Sequence, residues 1–123
     1  MELTKVKVKN EKFEIEAKII KQGDDIVIII GGGKFHIGAV GVTLPPLPPE
    51  NISSTSIITV PGHKDDIVSK IIGEKVAKEL KRNVSVIAGI HYDNLDKNEI
   101  EEIISLCNNL GEKIIDILRK EYE

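Results

Sequence analysis

The sequence predicts an α+β domain: a mostly antiparallel sheet of about six strands with two helices packed on one face, in the order βββββαβα. Three observations carry this expectation. The first half alternates apolar and polar residues at period two, two later stretches repeat apolar residues at helical spacing, and a short β-branched segment separates those stretches. At 123 residues the chain has the length of one domain, expected to span 1–123.

Leu3 to Lys9 and Phe13 to Ala17 alternate across Asn10-Glu11, which reads as a hairpin with one charged face. After Gln22-Gly23-Asp24-Asp25, the run Ile26 to Ile30 has no polar alternation and predicts a central strand covered on both faces. Gly31-Gly32-Gly33-Lys34 reads as a turn needing positive φ, or as a backbone nest for an anion with Lys34 adding charge. It lacks the Ser or Thr and the following helix of a Walker A loop. Phe35 to Leu44 predicts a further strand, with Gly38 and Gly41 open to close approach. The prolines at 45, 46, 48 and 49 then force an extended loop before a strand over Ser56 to Val60.

From Asp65, the positions Ile67, Val68, Ile71, Ile72, Val76 and Leu80 mark a helix with acids in its first turn and bases in its last, ending near Asn83. Val84 to Ile90 predicts a strand. Asp96 with Glu99 forms a capping box ahead of the long apolar stripe from Ile100 to Leu118, where Ile115 or Leu118 is expected to be free to meet a partner.

Composition excludes several functions. The net charge of −3 argues against a nucleic-acid binder running on bulk positive charge, and aromatics at 3% are too few for a base-stacking platform. The longest apolar run, Ile26 to Ile30, is far short of a membrane span. The single Cys107 rules out an intramolecular disulfide, fits a reducing compartment, and lies on an apolar helix stripe where a thiol is inert. With no apolar signal region at the N-terminus, the cytosol is the expected compartment.

Three segments can carry chemistry, each with a histidine beside glycine or a charged residue: the glycine run through His36, Pro61-Gly62-His63-Lys64-Asp65-Asp66, and Gly89-Ile90-His91-Tyr92-Asp93-Asn94. Gly62, His63 and Lys64 sit at the mouth of the first predicted helix, where free N–H groups favour a phosphate; Asp65 and Asp66 read equally well as helix caps. Asp93 could orient the His91 ring, or simply belong to a strand-to-helix turn. Three histidines could hold a metal as a metal-dependent enzyme would, although their spacing matches no standard zinc pattern.

His36-Ile37-Gly38-Ala39-Val40, Gly62-His63-Lys64-Asp65-Asp66 and Gly89-Ile90-His91-Tyr92-Asp93-Asn94 together resemble the small prenylated-flavin chaperone-like domain, the D-subunit type associated with gallate decarboxylase. The likeness in order and spacing covers roughly residues 25–118. It implies a non-catalytic accessory protein that binds or delivers prenylated FMN, or FMN, to a decarboxylase subunit. The ligand-facing positions it implies are His36, Gly62, His63, Lys64, His91 and Asp93. In element order the chain also resembles the small proteasome-assembling chaperones, which would make it a homodimeric interaction module without a ligand.

Overall fold

The computed structural model describes residues 3–61 and 65–122. Strands β1 (Leu3–Lys9), β2 (Glu14–Gln22), β3 (Asp25–Gly33), β4 (Ala39–Leu44) and β5 (Ser54–Thr59) are followed by helix α1 (Asp66–Leu80), strand β6 (Val84–His91) and helix α2 (Lys97–Tyr122). The expected α+β class and element order both hold. The strands form one sheet in the order β1-β2-β3-β6-β4-β5, antiparallel throughout except for the parallel pair β3 and β6.

The hairpin expected at the N-terminus forms because the Asn10 side-chain oxygen accepts hydrogen bonds from the backbone N–H groups of Lys12 and Phe13, closing the turn between β1 and β2. Alternation then sends Val6, Val8, Ile15, Ala17 and Ile19 to one face and Lys5, Lys7, Glu14, Glu16 and Lys18 to the other. Both helices pack on the apolar face, α2 over β1 and β2, α1 over β4, β5 and β6. The core between them is almost wholly aliphatic, with Ile28, Ile30, Ile72, Val86, Leu110 and Ile114 fully enclosed. Close approach of α1 is possible because it presents Ser69 and Gly73 towards Gly41 and Thr43 of β4; a side chain at Gly73 would run into Thr43.

Four expectations are corrected. The Ile26 to Ile30 run is interior to the sheet, but helices cover only one of its faces: Ile26, Ile28 and Ile30 are buried, while Val27 and Ile29 are half-buried. Gly31-Gly32-Gly33 continue β3, Gly31 and Gly32 paired on both sides and Gly33 with β6, and of the three only Gly33 takes a positive φ, of 63°. The first helix ends not at Asn83 but at Lys81, left-handed with φ 55°, whose N–H closes on the carbonyl of Ala77. Ile115 and Leu118 are 2% and 1% exposed, so α2 spends them on the core and leaves neither for a partner. Among the described residues, no helix is long and apolar enough to cross a membrane.

Candidate functional site

The parallel pairing of β3 with β6 brings two distant segments out of the sheet side by side. Gly31, Gly32 and Gly33 pair with Gly89, Ile90 and His91. The glycines are needed for what crosses over them. The Phe35 ring fills the space a side chain at Gly31 would occupy, and the backbone of His36 lies where a side chain at Gly89 would be. Gly33 turns the chain, the Lys34 N–H donates to the carbonyl of His91 at 2.9 Å, and the Gly38 N–H donates to that of Ala88 at 2.8 Å. The segment from Lys34 to Ile37 is thereby strapped across the end of β6, and the His36 and His91 rings stand edge to face, 6.1 Å between centroids.

Asp65 joins them from the start of α1. Although it occupies the N-cap position, its side chain makes no cap hydrogen bond. Instead Oδ1 accepts the Ile90 N–H at 2.9 Å, and Oδ2 lies 3.7 Å from His36 Nε2, with the residue only 5% exposed. Gly38 is a glycine for the same reason: a side chain there would strike the Asp65 carboxylate. Burial pushes the Cys107 thiol up to about 12, and the negative charge of Asp65 adds to the shift, so this thiol is unreactive as the sequence predicts.

Further out, His91 Nε2 and Asp93 Oδ1 are 3.0 Å apart, the orientation expected for that pair. Tyr92 between them is anchored: its hydroxyl donates to the Glu14 carbonyl at 2.7 Å and its ring packs edge-on against Phe13. An open cleft of about 350 Å³ lies between these groups, lined by Lys34, His36, Ile37 and His91.

Of the residues expected to face a ligand, His36 and His91 line one cleft, and Asp93 bonds to His91 at its rim. Gly62, His63 and Lys64 lie outside the described residues. Sequence reasoning did not place Ile37 or Asp65 at the site. Asp65 carried a signal, since of two consecutive acids before a helix only one can occupy the cap position. Among the described residues, no group of three or more His, Cys, Asp or Glu is arranged to hold a metal ion.

Comparison with known proteins supplies the class. The chain belongs to the prenylated flavin chaperone LpdD-like domain family, which matches residues 9–119. Protein LpdD of Lactiplantibacillus plantarum is 26% identical over 108 residues, covering 87% of this chain and 79% of LpdD. A chain from the crystal structure of a chaperone complex for yeast 20S proteasome assembly shares the fold at 12% identity, with a TM-score of 0.60 and coverage of 99% of this chain and 98% of that one.

Proposed function

We propose that this chain is a non-catalytic accessory protein that holds prenylated FMN, or FMN itself, in the cleft between His36 and His91 and releases it to a decarboxylase. The observation that carries the reading is the convergence of two imidazoles and Lys34, from opposite ends of a long crossover, on one open cleft.

The donor set fits a flavin nucleotide. Two imidazoles offer ring nitrogens for hydrogen bonds and the Lys34 ammonium offers donors and positive charge to phosphate and ring carbonyl oxygens, while Ile37 offers apolar surface to a planar ring. Gly62, His63 and Lys64 precede α1 directly in the sequence and are proposed to add phosphate contacts at its N-terminal end. A volume near 350 Å³ is at the small end of the roughly 300–1,000 Å³ typical of ligand sites. Such a cleft covers part of a nucleotide and leaves the rest accessible, as a carrier that gives up its cargo requires. Chemistry on the flavin belongs to the enzyme that receives it; this chain's residues bind, orient and release.

Asp65 is assigned the positioning role. Held by the Ile90 N–H and buried, it fixes the side of the cleft from which the His36 ring projects. Titrating the purified chain with FMN and following flavin fluorescence tests the proposal. Saturable binding is expected, weakened at least tenfold by His36→Ala and by His91→Ala with the circular dichroism spectrum unchanged. A chain that binds neither FMN nor prenylated FMN overturns it.

A further inference from the structure

Strands β4 and β5 meet in register, with Leu44 opposite Ser54, so a turn of roughly two to five residues would join them. The chain instead spends residues 45–53 on the connection and puts four prolines into it. The sheet does not need this excursion, and no hydrogen bond ties residues 45–53 to any described part of the chain. Leu47 and Ile52 within it are each 75% exposed, two of the three most exposed large apolar side chains among the described residues.

Proline sets the shape of the segment. Its ring holds φ at about −65°, and a residue that precedes proline is driven out of the helical region. Leu44, Pro45, Leu47 and Pro48 all precede a proline, so Pro45 to Pro48 is an extended turn of polyproline type with little freedom left to lose on binding. Residues 45–47 accordingly join no helix or strand, and the chain bends back at Pro48 and Pro49. Pro45 and Pro46 rest half-buried against the domain, while Leu47, Pro48, Pro49 and Glu50 face water.

We propose that residues 45–52 form a docking element for the decarboxylase that receives the flavin, read by an aromatic-lined groove with a cation at its rim. Proline rings on a preformed extended backbone are recognised by such grooves, with Leu47 as the apolar anchor. Glu50 stands exposed at the end of the segment and pairs with no described cation, which places the positive charge on the partner. A second copy of this chain offers no such groove. Of its four aromatic residues, Phe13 and Tyr92 pack on each other, Lys21 and Arg82 lie over the Tyr122 ring, and Phe35 stands alone over Gly31. Beside the segment, Ile52 and Ile71 of α1 line an open groove of about 390 Å³ that gives the partner's rim an apolar seat. The element also lies away from the cleft. Ala39 pairs with Ala88 at the cleft end of β4 and Thr43 with Val84 at the other, so roughly 17 Å of strand separates the two. Docking there leaves His36 and His91 uncovered, and cargo can depart while the two proteins stay together.

The choice of the decarboxylase as partner rests on the proposed function, and the test separates the two. Isothermal titration calorimetry of the full chain against the purified apo catalytic subunit of a gallate-type decarboxylase is expected to show saturable binding. Leu47→Asp is expected to weaken it at least tenfold, and Pro46→Ala and Glu50→Lys at least threefold each, with the circular dichroism spectrum unchanged. Ile100→Asp, at an apolar side chain 43% exposed at the start of α2, is expected to leave it unchanged. Absence of binding, binding that survives Leu47→Asp, or an equal loss with Ile100→Asp overturns the docking element. Sensitivity to Leu47→Asp alone, with Pro46→Ala and Glu50→Lys silent, overturns the aromatic and cationic groove. Flavin titration of Leu47→Asp is expected to match the parent chain, and a loss there overturns the separation of loop from cleft. An unaltered chain that docks through the loop and binds no flavin overturns the flavin reading and leaves the docking element standing.

Discussion

Two aspartates stand at the N-cap positions of the two helices, and the fold uses them differently. Asp96 serves its helix: its carboxylate accepts the Glu99 N–H at 2.8 Å, and Glu99 returns the bond to the Asp96 N–H at 3.2 Å, a complete capping box. Asp65 leaves α1 without a side-chain cap and turns to the end of β6, where it bonds Ile90 and faces His36. Asp66 keeps a negative charge in the first turn of α1, so the dipole is still met. The same residue type at equivalent positions caps a helix in one place and ties a strand end to the His36 side of the cleft in the other. The difference lies in what is nearby: a strand end with a free N–H group sits beside α1, and open solvent lies beside the start of α2.

Substitutions sharpen that contrast. The largest effect is expected at Asp65→Ala, which strands the buried Ile90 N–H and should lower unfolding free energy in urea by about 1–3 kcal/mol. It should also weaken FMN binding more than tenfold; if affinity survives, Asp65 is structural only and the contrast fails. Asp96→Ala removes an exposed cap and should cost about 0.5–2 kcal/mol, with flavin affinity unchanged. The smallest effect is expected at Glu99→Gln, which preserves the returning hydrogen bond and should stay within about 0.5 kcal/mol of the parent chain. A loss there comparable to that of Asp96→Ala would mean that charge rather than geometry makes the cap.

Legibility in the sequence followed the range of the interactions. The β1 and β2 hairpin, the start of α2 and its buried stripe depend on neighbours a few residues apart, so alternation, Asn10 and the Asp96–Glu99 pair are enough to reveal them. The Ile26 to Ile30 run is different. Its composition fits one covered face as well as two, and what decides is whether any other element lies over Val27 and Ile29. The glycine run was equally ambiguous, because glycine permits a turn but is also demanded wherever another segment crosses a strand closely, as Phe35 and His36 do at Gly31 and Gly89. Convergence of His36 with His91 is set by the parallel register, which no local pattern announces.

The single parallel pairing has a temporal consequence. Strands β4 and β5, helix α1 and the proline loop all lie between the two strands it joins, so Gly33 reaches His91 only after the whole crossover has been placed. Contacts of such high sequence separation are slow to form. The cleft therefore exists only in a fully folded chain, and a nascent or partly unfolded copy would lack it.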